Sequence, residues 1–120
     1  MKTEIQKMSD EMKEHLLGNI VPFWRNLRDD DNGGWYGYMS YGLEVDKNAV
    51  KGCILNSRIT WFFANVALCI REGLISEDDC TAHGYTAEDV RKEAKHGYQF
   101  LKNNCLDKEN GGIYWSLYAD

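Results

Sequence analysis

Few of the side chains that do chemistry in proteins stand at useful spacings in this sequence. The three histidines, His15, His83 and His96, are scattered and are not at ligand spacing for one another. The four cysteines form no Cys-x-x-Cys pair, and without a secretory signal they indicate reduced thiols. We therefore predict no metal site and no cofactor.

Arg58 is a charged residue in an unusual sequence position. It stands near the start of a strongly apolar stretch, where a guanidinium group needs a buried acceptor or a cavity. An arginine that bridges helix ends is the alternative interpretation.

The composition restricts the class of protein. The chain has 120 residues, of which 43% are hydrophobic and 12% aromatic, and its formal net charge is -5. These values favour one soluble globular unit, and the acidic balance gives no reason to expect a nucleic acid partner. The first residues lack the apolar stretch of a signal peptide, and the most apolar run, residues 59–70, is shorter than the roughly 20 residues that span a bilayer. We expect a cytoplasmic protein without a membrane partner.

Apolar periodicity predicts the helices that must position these residues. Over residues 5–27 large apolar side chains recur every three or four positions, and Pro22 predicts a kink or break just before it. A second, buried helix is predicted over residues 57–73, with Asn56 or Ser57 as its cap. Three aromatic residues of this helix are assigned to the core: Trp61, Phe62 and Phe63.

The remaining segments alternate between turns and one further helix. Glycines and alternating aromatic residues over 32–42 predict a small β-ribbon or extended loop. The polar segment 75–85 has room for a short helical turn, and Thr86 with Asp89 forms a capping box for a helix that ends near Asn104. That helix is predicted to direct four side chains toward the core: Val90, Ala94, Tyr98 and Leu101.

A short motif occurs twice in the chain. The run Asn32-Gly33-Gly34-Trp35-Tyr36 returns 78 residues later as Asn110-Gly111-Gly112-Ile113-Tyr114. Each copy follows a helix with bulky apolar residues and then an acidic turn. The shared context predicts a repeat of helical hairpins, of which this chain contains about one and a half, whereas a stable array generally needs about three or more.

Four motifs resemble, in the same order, the N-terminal part of cellobiose 2-epimerases in the N-acylglucosamine 2-epimerase family. They are Val21-Pro22-Phe23-Trp24, the run 31–38 (Asp-Asn-Gly-Gly-Trp-Tyr-Gly-Tyr), the run 54–63 with its Asn56-Ser57-Arg58 signature, and Asn110-Gly111-Gly112-Ile113-Tyr114-Trp115. The resemblance implies an (α/α)6 barrel, in which six helical hairpins form two rings around a sugar site. We therefore expect an all-α chain of helical hairpins with short β-ribbons, in which residues 1–120 form part of one barrel domain and the N-terminal portion of a longer enzyme.

The resemblance also implies an activity and its residues. Members of this family invert carbon 2 of a reducing-end sugar, for instance between glucose and mannose at the end of a β-1,4-linked disaccharide. Arg58 then corresponds to a catalytic cation that faces the sugar, while Asn56, Tyr114 and Trp115 correspond to substrate-binding positions. Packing is the alternative role for Tyr114 and Trp115. Packing in the ribbon is favoured over a sugar cleft for four further aromatic residues: Trp35, Tyr36, Tyr38 and Tyr41.

Two other classes of function compete with this expectation. In the family the general acid and base are histidines of later hairpins, and no histidine of this chain lies in a matching motif, so we expect the chain alone to be inactive. It could instead be a helical or sugar-binding module that self-associates through exposed hairpin faces. A sugar hydrolase needs a positioned pair of carboxylates, whereas the acids here cluster in turns such as 29–31 and 77–79.

Overall fold

The computed structural model describes all residues, 1–120, as a helical chain with one two-stranded sheet. The elements are α1 (Glu4–His15), a π-helical turn (Leu16–Ile20), α2 (Val21–Asn26), β1 (Lys51–Gly52), α3 (Cys53–Arg71), α4 (Glu77–Thr81), α5 (Ala87–Phe100), a second π-helical turn (Leu101–Cys105) and β2 (Ser116–Leu117). The predicted helical chain with a short β-ribbon is confirmed.

Pro22 interrupts the first helical segment where the sequence predicted. Proline has no N–H to donate to the carbonyl four residues earlier. The π-helical turn lies directly before it, and the N–H of Val21 donates to Leu16 O instead. The predicted kink is therefore a π-bulge between α1 and α2. No residue of α1 is buried, so its apolar stripe faces solvent: Ile5, Met8 and Met12.

The helix that carries Arg58 begins four residues earlier than predicted. α3 starts at Cys53 with Gly52 as its N-cap, so the predicted caps Asn56 and Ser57 lie inside the helix. The N–H of Cys53 donates instead to Trp115 O at 3.0 Å. Because this partner comes from the far end of the chain, no local sequence pattern marks the start of the helix.

Only one face of α3 is buried, whereas the sequence predicted a fully buried helix. Ile59, Phe63 and Val66 lie in the main core, and α5 is the element that α3 contacts most. Trp61 is 69% exposed and Tyr98 is exposed as well, so their assignment to the core was wrong. By length and composition alone α3 could cross a membrane, a test that core helices of soluble proteins also pass. In this structure its apolar face packs against the rest of the chain.

Trp35 fills the space between α3 and α5. Its indole stacks on Phe63 at 5.8 Å between ring centroids, and it is fully buried. A Cβ atom at Gly97 would lie 2.0 Å from Thr60 Oγ1 and 2.8 Å from the Trp35 ring. Only glycine therefore allows α5 to approach α3 this closely.

The segment between α3 and α5 has the predicted short helix and capping box. Thr86 accepts a hydrogen bond from the Asp89 N–H, and the Asp89 carboxylate accepts one from the Thr86 N–H. Ser76 and Asp79 form a second capping box at the start of α4, which was not predicted from the sequence. Hydrogen bonds from Lys13 and from the Ser76 N–H lower the pKa of Asp79 to about 2.

The two glycine-rich loops have the same backbone structure, which confirms the 78-residue repeat. In each loop Oδ1 of the leading aspartate, Asp29 or Asp107, accepts the N–H groups two and three residues later, all at 3.0 Å. In each, the same aspartate pairs through its backbone with both glycines, whose φ angles lie between 68° and 87°. After the first loop, residues 35–50 are extended with isolated bridges rather than a regular ribbon.

Candidate active site

The ribbon at the start of α3 brings the end of the chain to the Asn-Ser-Arg motif. β1 and β2 are antiparallel, with Lys51 opposite Leu117 and Gly52 opposite Ser116. The segment just before β2 is fixed on both sides, because the Tyr114 N–H donates to Cys105 O at 2.9 Å and Trp115 O accepts the N–H of Cys53 at 3.0 Å. Tyr114 and Trp115 therefore lie beside the first turn of α3.

Arg58 lies on the same helix, five residues after its first residue and about 7.5 Å along its axis. The side chain is exposed and forms no ion pair or side-chain hydrogen bond, so the predicted buried acceptor is absent. The alternative role of bridging helix ends is not observed either. The first turn of α3 contains no acidic residue and Arg58 forms no ion pair, so no side chain of that turn offsets the guanidinium charge or the positive end of the helix dipole. This region therefore favours negative charge.

The two aromatic candidates from the second motif offer accessible surface. Tyr114 is 43% exposed and lines a cleft of about 390 Å³ together with Val50 and Tyr118. Trp115 is 78% exposed. Rings placed in this way can contact the apolar face of a sugar, and the tyrosine hydroxyl can also donate a hydrogen bond.

Asn56 supports the first glycine-rich loop and has no atom open to a ligand. It is completely buried, its Oδ1 accepts the Trp35 N–H at 2.9 Å, and its Nδ2 donates to Gly52 O at 2.9 Å. Both halves of the amide are therefore used inside the protein. In place of the predicted substrate contact, this geometry makes Asn56 a positioning residue that joins the loop to the start of α3.

Replacement of Asn56 tests this role. We expect Asn56→Ala to lower the free energy of unfolding by about 1–3 kcal/mol, because the Trp35 N–H would remain buried without an acceptor. Asn65→Ala is the matched control, since Asn65 also donates to the carbonyl four residues earlier in α3 but lies in an exposed setting. Urea unfolding of both variants measures the difference. Equal losses would contradict the proposed role of Asn56.

The other aromatic candidates fall into different environments. Trp35 is a core residue, whereas Tyr36 is half-buried and lines a polar cleft of about 390 Å³ with Arg28 and Lys47. Tyr38 and Tyr41 are exposed on the segment that follows.

Two residues near this site were not predicted from the sequence. Trp61 lies three residues after Arg58, so the two side chains share the open face of α3, and this spacing was the available signal. Lys51 is the second, a buried lysine that bonds to Asp29 Oδ2 at 2.5 Å and to Gly33 O at 2.7 Å. No local pattern marks it, because its partners lie across the fold.

All three histidines are paired with other groups of this chain. His96 Nε2 donates to Gly34 O at 2.9 Å, and its ring packs edge-on against Trp35. His83 pairs with Glu14 at 3.1 Å, and His15 Nδ1 lies 2.9 Å from the Asn19 amide nitrogen. No group of three histidine, cysteine or acidic side chains is placed to bind one metal ion.

The solved structures that the chain resembles are (α/α)6 barrels, and the chain has the fold of about a quarter of such a structure. The relatives it matches in that class are sugar epimerases. It is 46% identical over 110 residues to the cellobiose 2-epimerase of Ruminococcus albus, a match that covers 92% of this chain and 24% of that protein. No family model matches the sequence.

Solved structures give the same result. The crystal structure of a sugar epimerase from a ruminal bacterium superposes with a TM-score of 0.77 and 46% identity, over 93% of this chain and 25% of that one. The cellobiose 2-epimerase of Bacillus thermoamylovorans gives a TM-score of 0.76 and 32% identity, over 94% and 25%. The chain thus corresponds to the N-terminal part of cellobiose 2-epimerases and spans about a quarter of their length.

Proposed function

We propose that this chain forms the N-terminal part of a cytoplasmic sugar 2-epimerase. Its substrates would be β-1,4-linked disaccharides such as cellobiose, and it would interconvert glucose and mannose at their reducing end. The observation that carries the proposal is the 46% identity to the Ruminococcus albus cellobiose 2-epimerase along 92% of the chain.

The chemistry assigns roles to the open groups beside α3. After the sugar ring opens, a base removes the proton at carbon 2, and the resulting enediolate is reprotonated on its other face. Arg58 is the cation that would stabilise the negative oxygen atoms of that intermediate. Its free guanidinium group and the unneutralised start of α3 support this role. Tyr114 and Trp115 would position the sugar.

Proton transfer requires groups from elsewhere. His96, His83 and His15 are already paired with Gly34 O, Glu14 and Asn19, respectively. None of these histidines forms a hydrogen bond with Arg58. We therefore propose that the isolated chain binds sugar weakly at most and does not exchange the proton at carbon 2.

A chimeric enzyme tests the proposal. We expect activity when this chain replaces the matching first quarter of the Ruminococcus albus cellobiose 2-epimerase. Cellobiose in deuterated water should gain deuterium at carbon 2 and yield the mannose-ended epimer, whereas the isolated chain should give neither product. A folded chimera without any exchange at carbon 2 would contradict the proposed function.

A binding module without catalysis is the second candidate. The observation in its favour is the open apolar stripe of α1, formed by Ile5, Met8 and Met12. A chain of this kind would self-associate to cover the stripe, and the inactive but folded chimera described above would favour this candidate.

A further inference from the structure

Cys53 and Cys105 form a buried pair of thiols that the proposed reaction does not use. Cys53 is the first residue of α3, and Cys105 is the last residue of the second π-helical turn. Both are free cysteines, each is at most 2% exposed, and together with Phe100 they form a small apolar cluster apart from the main core. The Cys53 thiol is a hydrogen-bonding neighbour of the Cys105 thiol. Two sulfur atoms from the two ends of the hairpin α3–α5 therefore lie side by side.

The backbone of both cysteines is held by the same short segment. The Cys53 N–H donates to Trp115 O at 3.0 Å, and Cys105 O accepts the N–H of Tyr114 at 2.9 Å. A disulfide forms only between cysteines that approach each other within a narrow range of geometries. These two hydrogen bonds and the shared contact with Phe100 keep the cysteines together in the folded chain.

The internal repeat shows that packing alone does not require a cysteine at position 105. The Tyr36 N–H donates to Leu27 O at 2.9 Å in the first repeat, just as the Tyr114 N–H donates to Cys105 O in the second. Leu27 is therefore the counterpart of Cys105, and it packs in the main core. A leucine satisfies the packing at this position, whereas the cysteine adds a sulfur atom next to Cys53.

An apolar cavity leads to the two sulfur atoms. It has a volume of about 520 Å³, and Cys53 and Cys105 both line it, together with Ile54, Leu101 and Leu106. A reagent that enters this cavity must be small and uncharged, because apolar walls disfavour a charged group. The cavity also has room for the small thiol that a reagent leaves attached to a cysteine during exchange.

We propose that Cys53 and Cys105 are a modification site, at which a small, uncharged disulfide converts the two thiols into an intramolecular disulfide. One cysteine loses its proton to solvent, and its thiolate attacks a sulfur atom of the reagent, which releases one small thiol after protonation. The thiolate of the other cysteine then attacks the protein sulfur of this mixed disulfide and releases the second small thiol. Two electrons and two protons pass from the protein to the reagent, and one S–S bond replaces another. The site does not depend on the proposed epimerase activity.

Burial makes this site slow to react in either direction. Burial and the adjoining Cys53 thiol raise the pKa of Cys105 to about 12. The thiolate is the reactive form, so exchange at neutral pH is slow. The same high pKa makes Cys105 a poor leaving group, so the disulfide is also slow to be reduced. Once formed, the bond would close α3, α4 and α5 into one covalent loop beside Tyr114 and Trp115.

Refolding in the presence of the reagent tests the site without the barrier that burial imposes. The urea-unfolded 120-residue chain is refolded in a mixture of bis(2-hydroxyethyl) disulfide and 2-mercaptoethanol, and the remaining thiols are alkylated before digestion with trypsin. We expect the peptide of residues 52–58 linked to that of residues 103–108 as the main product, at least about tenfold above any other pairing. Cys80 is the matched control. Burial raises its pKa as well, but no other thiol contributes to that shift, so it should be recovered unlinked.

Urea unfolding of the oxidised and the reduced chain measures the effect of the bond. We expect the unfolding equilibrium constant in water to be at least about tenfold smaller for the oxidised chain, because the bond restricts the unfolded state. Dithiothreitol added to the unfolded chain should abolish this difference. The variant Cys105→Leu has the residue of the first repeat at this position, and it should unfold identically with and without the reagent.

Two results would overturn the inference. One is a refolded product in which the link between Cys53 and Cys105 is no more abundant than other pairings of the four cysteines or than links between chains. The other is a disulfide between Cys53 and Cys105 that leaves the unfolding equilibrium constant unchanged or raises it, because such a bond does not fit the native positions of the two residues.

Discussion

Lys51→Met is expected to lower the free energy of unfolding by about 3–5 kcal/mol, a large part of the 5–15 kcal/mol typical of small domains. Lys51 and Asp29 are each 1% exposed, and the Nζ–Oδ2 distance is 2.5 Å. Removal of the lysine leaves a buried carboxylate without its counter-ion and Gly33 O without its donor. Urea unfolding measures the loss, with Lys108→Met, an exposed lysine of the second loop, as the control.

The pH dependence of the free energy of unfolding distinguishes the loss of an ion pair from a loss of packing alone. Burial alone would raise the pKa of Asp29, but hydrogen bonds from Lys51 and from the Asn32 N–H outweigh it and lower that pKa below its usual value. A carboxyl group with a lowered pKa in the folded state stabilises the fold above its unfolded pKa of about 4, and this contribution is lost as the pH falls through the folded pKa.

Lys51→Met should remove this acid sensitivity. Burial then raises the pKa of Asp29 in the folded variant above its unfolded value of about 4, so protonation stabilises the folded variant as the pH falls through that raised pKa. The difference in stability between variant and parent therefore begins to narrow at a pH above about 4, and it narrows further below about pH 4 as the parent loses its own stabilisation. The double variant Lys51→Met with Asp29→Asn should recover much of the lost stability at neutral pH, because no buried charge remains and Asn can still accept the loop N–H groups. A gap that stays constant from neutral to acid pH would show that the ion pair is not the cause.

The difference between local and long-range partners explains which parts of the fold the sequence predicts. The Thr86–Asp89 capping box and the π-bulge before Pro22 depend on residues a few positions apart, and both are visible in the sequence. The start of α3 depends on Trp115 O, and the roles of Lys51 and Asn56 depend on partners 22 and 21 residues away. These partners are distant in the sequence, so no local residue pattern predicts them before the fold is known.

Helical periodicity has a related limit. It predicts which side chains share a face but not whether a neighbouring element covers that face. The stripe of α1 and the exposed Trp61 and Tyr98 are apolar by pattern and yet open in this chain. The internal repeat predicts that the two glycine-rich loops have the same backbone. It does not predict that the first loop is covered by other parts of the chain while the second loop is exposed.

Arg58→Ala in the chimeric epimerase is expected to reduce kcat by about 10²–10³-fold. Loss of one preorganised donor to a developing oxyanion typically has this effect, which corresponds to about 2.7–4 kcal/mol of transition-state stabilisation. Because the exposed guanidinium group makes no ion pair or side-chain hydrogen bond within the chain, its removal should not alter the folding free energy beyond about 0.5 kcal/mol. We therefore expect Arg58→Ala to lower kcat without lowering the free energy of unfolding.

Two further variants make the result interpretable. Arg58→Lys retains the charge but not the planar pair of donors, so it should recover only part of the lost activity. Arg71→Ala removes an exposed arginine at the other end of α3, where it pairs with Glu72, and should leave deuterium exchange at carbon 2 unchanged. If the Arg58→Ala and Arg71→Ala variants exchange the proton at carbon 2 for deuterium at the same rate, Arg58 is not the cation that stabilises the intermediate. In that case the open start of α3 and the exposed rings of Tyr114, Trp115 and Trp61 would bind sugar without assisting the proton transfer.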